Sequence, residues 1–111
     1  MLPKSKRLTR RDFESVLKKG VVYHSPFFTL KFYPVNQQLR FAVVVPSKIV
    51  KKASQRNLFR RSGYSAVREI IKTTRFQGAA ILFFKKTALT LRKEILKAEV
   101  ERIIKSGLKQ T

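Results

Sequence analysis

The sequence has no cysteine and no tryptophan, and only 6 acidic residues stand against 26 lysines and arginines in 111 residues. Without cysteine, disulfides and thiolate metal sites are excluded, and the composition suits a reducing compartment, so we expect a cytoplasmic protein. No apolar run approaches the roughly 18 residues that a membrane span needs. The basic start, Met1 to Arg11, has no apolar segment behind it, which predicts that it is not a secretory signal.

The few acids are also unevenly placed. No acidic residue occurs between Ser15 and Arg68, although that stretch is rich in lysine and arginine. A net charge of +20 makes a compact chain repel itself unless a polyanion relieves the repulsion, and nucleic acid is the usual polyanion. The charge balance therefore predicts a nucleic-acid partner.

Enough apolar residues are present to build one modest core, since 43% of the chain is hydrophobic and nine residues are phenylalanine. We expect a single RNA-binding domain over residues 1–111, and a disordered basic tail is excluded by the aromatic content. The basic residues 1–8 are a candidate for a segment that is disordered until RNA binds.

Hydrophobic periodicity predicts three helices and three or four strands. In chain order these are a helix ending at Gly20, a strand region at 21–33, a polar turn at 34–38, a strand at 41–45, a helix at 54–72, a strand at 78–84 and a helix at 90–105, with Leu91 and Ile95 pointing inward. The first strand region bends or splits near Pro26, and the apolar run at 41–45 is consistent with a central strand. The order αβ(β)βαβα predicts an α+β fold, a two-layer sandwich with helices packed on one mixed sheet.

The helix at 54–72 carries the basic residues that indicate function. Ser54 is a good N-cap, and a stripe largely opposite the apolar one is formed at four-residue spacing by Arg56, Arg60, Tyr64 and Arg68. Arginine suits phosphate because its planar group donates two parallel hydrogen bonds, and a helix start also favours an anion. No glutamate alternates with these bases, which favours nucleic-acid contact over an ordinary solvated helix face.

The residues around this helix start resemble a known family. Ser47-Lys48, then Ala53-x-x-Arg56-Asn57, then Arg60-Arg61 follow a strand-like Phe-Ala-Val-Val-Val, and the set resembles the RNA-binding signature of the protein subunit of bacterial ribonuclease P. The pattern Asp12-Phe13-x-x-Val16-x-x-x-Gly20 resembles that family's first helix, and Phe28-x-Leu30 its first long strand. Leu58 departs from the third position of the family's Arg-Asn-Arg signature, and Tyr64-Ser65 from the pair that often closes it.

The resemblance implies an α+β sandwich with a left-handed β-α-β crossover, and a protein whose partners are ribonuclease P RNA and the 5′ leader of precursor tRNA. In that family the RNA, with bound Mg²⁺, hydrolyses the phosphodiester that joins the leader to the tRNA, while the protein binds the leader and supports the active RNA. Carried over by position, the RNA-subunit contacts are Lys48, Lys51, Lys52, Arg56, Asn57, Arg60, Arg61 and Arg68. The leader cleft, between the first helix and the sheet, includes Phe13, Leu17 and Lys31, and Phe27 and Tyr33 share the strand face of Lys31.

No catalytic constellation is evident in the chain itself. His24 has no acid near it in sequence, and the six acids form no metal-ligand pattern, whereas a protein-only nuclease gathers carboxylates around magnesium. We therefore assign no catalytic residue and no metal ligand to the chain, and expect Mg²⁺ to be held mainly by the RNA.

Three alternatives stay open at this point. A small ribosomal or ribosome-associated structural protein has the same size and charge. A membrane-active or nucleoid-coating cationic protein needs charge alone, although we expect neither a membrane nor a stable protein partner. A self-sufficient RNA enzyme is disfavoured by the scattered acids.

Overall fold

The computed structural model describes residues 7–73 and 77–109. Its elements in chain order are α1 (Arg10–Lys19), β1 (Val21–His24), β2 (Phe28–Gln38), β3 (Arg40–Val44), α2 (Ala53–Thr73), β4 (Gln77–Phe84), a short 3-10 helix (Lys86–Thr90) and α3 (Lys93–Lys109). None of the helices in this part of the chain is both long enough and apolar enough to cross a bilayer. The predicted α+β class is confirmed.

The four strands form one sheet in the order β1-β2-β4-β3. β2 pairs antiparallel with β1 and with β4, whereas β3 and β4 are parallel, so the sheet is mixed as predicted. α2 therefore connects two adjacent parallel strands, and the left hand of that crossover stays a prediction.

β3 lies at the edge of the sheet, and the prediction of a central strand at 41–45 was wrong. The run is apolar because both of its faces are covered: Phe41 and Val43 lie in the larger core, and Ala42 and Val44 pack against a smaller one. Of the segment proposed to order on RNA, residues 1–6 lie outside the described residues. Arg7 forms a β-bridge with Phe41 at this edge.

The predicted turn at 34–38 was also wrong, because β2 continues to Gln38. Pairing with β4 shifts register between Tyr33 and Gln38. Pro34 follows Tyr33 directly and lacks a backbone N–H to donate to a ladder, so an irregular strand end takes the place of a turn. The predicted split near Pro26 is confirmed by the break between β1 and β2.

The helices cover both faces of the sheet, which the two-layer prediction did not foresee. One face carries the larger core, where Phe28, Leu30 and Phe32 of β2 pack with the apolar faces of α2 and α3. On the other face, Val16 of α1 packs with Ala79 and Ile81 in a separate cluster. α1 can pack there because β4, a central strand, carries apolar side chains on both faces of the sheet.

The helix boundaries differ from the predicted ones. α2 starts at Ala53, so Ser54 lies inside its first turn and does not cap it. α3 runs from Lys93 to Lys109. It starts later than predicted because the chain first forms the 3-10 helix, where the Thr90 hydroxyl donates to the carbonyl of Thr87 at 3.2 Å. Ile95, predicted to point inward, is 46% exposed.

Candidate nucleic-acid interface

α1 crosses one end of the sheet. At its start, the N–H of Leu8 donates to the carbonyl of Phe41 at 3.2 Å, and at its end Gly20 leads directly into Val21. The strand register places Phe41, Ala80, Phe32 and Val21 in one row across the four strands. A helix of 10 residues is about 15 Å long, and the outer strands of a four-stranded sheet lie about 14 Å apart. The helix therefore spans the sheet at the level of this row, on the face opposite to the larger core that Phe41, Ala80 and Phe32 join.

Beyond α1 the same face of the sheet continues toward a less buried row. By register this row is Val44, Phe83, Thr29 and His24. His24 is exposed and the other three side chains are only half-buried. We call this region the sheet cleft; its members on α1 and on the strands are Phe13, Leu17, His24, Thr29, Lys31 and Phe83.

The structure brings the three predicted cleft residues to one region. Phe13 is half-buried against the small cluster around Val16, and Leu17, one turn later, is 42% exposed. On the other side of α1, Asp12 accepts a hydrogen bond from Gln37 at 3.3 Å, at the far end of β2. Phe13 and Leu17 therefore face the open row of the sheet. Lys31 is half-buried, with its Nζ 5.7 Å from the centre of the Phe83 ring.

Phe83 is a candidate site residue that the sequence analysis missed. In sequence it belongs to an apolar run that looks buried throughout, and only the pairing of Phe83 with Thr29 shows that its ring lies on the cleft face. An aromatic face next to a cation is suited to stacking a base beside a phosphate. His24 lies in the same row as Phe83, and its Nδ1 is 3.2 Å from the Thr29 hydroxyl.

Two aromatic side chains expected beside Lys31 lie elsewhere. Phe27 precedes β2 in the turn and packs against the larger core, so the strand alternation does not apply to it. Tyr33 does lie on the α1 side, but it packs against the small cluster of Val16. Of these strand residues, Phe83 is therefore the one whose ring lies in the cleft.

Arg56, predicted to contact RNA, is turned toward its own chain. Its Nη1 donates to the carbonyls of Val50 at 2.9 Å and Lys51 at 2.7 Å. These contacts hold the segment 46–52, which we call the basic loop, against the start of α2. The three lysines of the loop are exposed around this anchor; they are Lys48, Lys51 and Lys52.

The remaining predicted residues of α2 form a surface that we call the arginine face; it consists of Asn57, Arg60, Arg61 and Arg68. All are exposed except Arg60, which is half-buried and donates to Oδ1 of Asn57. Tyr64, predicted to lie in this stripe, is buried in the larger core at 9% exposure. Residues four apart on an α-helix drift by about 40° around the axis, so the row borders the apolar face and does not lie opposite to it. Tyr64 closes the floor of a depression of about 210 Å³ between Asn57, Arg60 and Arg61.

Four of the six acids form ion pairs with bases outside the arginine face and the basic loop. Ion pairs join Glu14 to Arg10, Glu69 to Lys97, Glu99 to Arg102 and Glu101 to Lys105. None of these pairs uses an arginine of the arginine face or a lysine of the basic loop. A hydrogen bond and the positive charge of Lys97 lower the pKa of Glu69 below its ordinary value. The two candidate surfaces therefore keep their positive charge for a partner.

Across 7–73 and 77–109, no group of three or more His, Asp and Glu side chains lies close enough together to hold a metal ion. The arginine face and the basic loop present positive charge, and the sheet cleft presents the ring of Phe83 close to Lys31.

The sequence comparisons all match the same family. The sequence model of the family described as ribonuclease P matches residues 2–107. The chain is 45% identical over 53 residues to the ribonuclease P protein component of Nitratiruptor sp., covering 48% of this chain and 47% of that one. It is 36% identical over 74 residues to the component of Pseudanabaena sp., covering 64% of each. These matches thus span about half to two thirds of the relatives' length.

Solved structures match the fold over nearly the whole chain. A mutant ribonuclease P protein of Staphylococcus aureus superposes with a TM-score of 0.83 at 19% identity, covering 94% of this chain and 89% of that one. The ribonuclease P protein of Thermotoga maritima superposes with a TM-score of 0.76 at 21% identity, covering 95% and 96%. At this low identity the structures support the fold.

Proposed function

Because the chain belongs to the ribonuclease P protein family, we propose that it is the protein subunit of a cytoplasmic ribonuclease P ribonucleoprotein. That complex removes the 5′ leader from precursor tRNA by endonucleolytic hydrolysis. In this proposal the catalytic groups and the magnesium ions belong to the RNA, as the resemblance to the family implies. No step of the reaction is assigned to a side chain of this protein.

The arginine face and the basic loop bind the RNA subunit. The exposed guanidinium groups of Arg61 and Arg68 are free to donate paired hydrogen bonds to phosphates. The exposed lysines of the basic loop add positive charge next to the start of α2. Each neutralised phosphate releases counterions, so the affinity for RNA falls steeply as salt rises.

The sheet cleft binds the leader of precursor tRNA. Phe83 offers a ring face to an unpaired base, and Lys31 beside it offers a cation to the adjacent phosphate. Stacking on an aromatic ring contributes about 1–3 kcal/mol per base and tolerates any sequence. That tolerance suits a subunit whose substrates carry different leaders.

The observation that carries this proposal is that the basic loop connects the strand at the edge of the sheet cleft to the helix that carries the arginine face. Val44 lies in the row of the sheet cleft, and the basic loop begins two residues later at Pro46. Arg56 then ties that loop to α2, which carries the arginine face. A protein with this arrangement contacts a leader and a large RNA at the same time, whereas a ribosomal structural protein has no use for the cleft.

A competition experiment separates these two functions. The chain is bound to the ribonuclease P RNA of the same genome at near-physiological salt, and unlabelled ribosomal RNA or precursor tRNA is added. We expect ribosomal RNA to compete poorly, and precursor tRNA to bind the complex more tightly than leaderless tRNA does. Equal competition by ribosomal RNA, with no effect of the leader, would support the ribosomal alternative instead.

A further inference from the structure

Leu58 is the most exposed of the large apolar side chains that the structure describes, at 62% exposure. It lies on α2 between the basic loop and most of the arginine face, in the stretch of sequence that contains no acid. A single exposed leucine needs no explanation. Leu58 differs from a scattered surface leucine because it lines a groove.

The groove runs along the start of α2. It has a volume of about 360 Å³ and is lined by Gln55, Leu58, Phe59 and Ser62, positions that adjoin one another on a helix surface. Phe59 is half-buried, and its ring centre lies 6.2 Å from that of Phe84 in the core, which fixes the groove floor. The volume falls at the lower end of the range of about 300–1,000 Å³ that is common for small-ligand sites.

The groove adjoins the arginine face. Leu58 and Arg61 are three residues apart on the helix and therefore neighbours on its surface. An RNA that places a phosphate on Arg61 brings its bases within reach of Leu58 and Phe59. A second copy of this chain is a poor occupant, because two molecules of charge +20 repel each other.

We propose that this groove receives an unpaired base of the ribonuclease P RNA, an inference that rests on the function proposed above. The base packs its face on Leu58 and Phe59, and the exposed amide of Gln55 at the rim offers both a donor and an acceptor to its edge. The departure from arginine at position 58 thus exchanges a phosphate contact for a base contact. The contribution of Leu58 to binding is apolar, and it is independent of salt.

The test measures the affinity of the full chain for the ribonuclease P RNA of its genome at several salt concentrations. We expect Leu58→Ala to weaken binding about tenfold, within the range for one base contact, with the slope of log affinity against log salt unchanged. Leu58→Phe restores or improves binding, because a ring offers more stacking surface. The matched control Ile95→Ala, which removes another exposed apolar side chain on α3, stays within about twofold of wild type.

Four outcomes would overturn the inference. If Leu58→Ala binds the RNA as tightly as wild type does, Leu58 makes no base contact, and the proposed function is unaffected. A changed salt slope in Leu58→Ala would show that the leucine acts through the neighbouring cations. A loss of self-association in Leu58→Ala without RNA, seen by analytical ultracentrifugation, would assign the groove to a second copy. If wild type fails to bind this RNA at all, the proposed function fails and the groove assignment fails with it.

Discussion

The guanidinium group of Arg56 donates a hydrogen bond to the backbone carbonyl of Lys51 at 2.7 Å, and the same nitrogen reaches the carbonyl of Val50 at 2.9 Å. A residue that resembles an RNA ligand in sequence thus holds the basic loop in place. The loop lysines are then presented to the RNA from a fixed backbone. Arg56 and Arg61 are expected to differ when they are replaced, although both are arginines on the same helix.

Arg56→Ala is expected to destabilise the fold as well as weaken RNA binding. Hydrogen bonds from charged groups contribute about 1.5–3 kcal/mol each, and partial exposure lowers that contribution, so we expect a loss of about 1–2 kcal/mol. Urea denaturation measures it. Arg61→Ala, at an exposed position, is the matched control and is expected to stay within about 0.5 kcal/mol of wild type. Equal stability of the two variants would contradict the anchoring role.

Arg60→Glu combined with Arg61→Glu is expected to abolish binding to the ribonuclease P RNA and to leave the fold intact. Both changes place negative charge on the arginine face, where RNA phosphates would meet it. Filter binding measures the affinity, and circular dichroism with thermal melting checks the fold. Arg92→Glu with Lys93→Glu makes the same change of charge at the start of α3, and we expect it to retain most of the affinity. RNA affinity that falls equally in both double variants would show that net charge alone governs binding.

Phe83→Leu is expected to weaken the binding of precursor tRNA to the assembled complex by about tenfold, consistent with the loss of one stacked base. Leucine keeps the apolar contact with the sheet but removes the ring face. Lys31→Glu should give a similar loss through repulsion of the leader phosphates. Neither change should alter the affinity for leaderless tRNA, which is the internal control. An equal loss for both tRNAs would place these residues outside the leader site.

Gly63→Ala is expected to destabilise the protein, although alanine is the better helix former by about 1 kcal/mol. A Cβ at this position would lie 2.8 Å from Cγ1 of Val43 and 3.0 Å from Cε1 of Phe84. Overpacking of this kind costs about 1–3 kcal/mol, which exceeds the propensity gain over most of that range, so we expect a net loss of up to about 2 kcal/mol. Ser65→Ala, at an exposed position of α2, should be neutral or slightly stabilising in the same denaturation assay. A stabilised Gly63→Ala would show that α2 does not pack this closely on β3 and β4.

Glu69→Gln is expected to reduce the dependence of stability on pH in the acid range. Lys97 lowers the pKa of the Glu69 carboxyl in the folded protein, so the pair stabilises the fold above the unfolded pKa of about 4.3. That contribution is lost as pH falls through the lowered folded pKa. Wild type should therefore melt slightly higher than Glu69→Gln at neutral pH, and the difference should vanish in acid. A difference that grows in acid would contradict the pair.

Local patterns in the sequence were sufficient for the core strands and for the basic helix. Alternation in Phe28, Leu30 and Phe32 predicted which face of β2 is buried, and the apolar run at 78–84 predicted a buried strand, which is β4. Both patterns depend only on neighbours in the chain. The same is true of the arginines on α2, whose spacing shows that they share one side of a helix.

Features that depend on register or on distant contacts could not be predicted in this way. The position of Phe83 in the cleft follows from its pairing with Thr29, which lies more than fifty residues earlier. The inward turn of Arg56 depends on carbonyls of a loop whose path no local pattern specifies. The lack of room for a Cβ at Gly63 is set by Val43 and Phe84, which belong to strands distant in the sequence.

The central claim is most directly tested by precursor-tRNA cleavage with the ribonuclease P RNA of the same genome. The reaction is run at near-physiological salt and low magnesium, with and without this protein. We predict cleavage at the mature 5′ end that depends on the protein and is lost with Arg60→Glu and Arg61→Glu together. Cleavage that is unchanged by the wild-type protein, in a reaction where the RNA alone is active at high magnesium, would contradict the account.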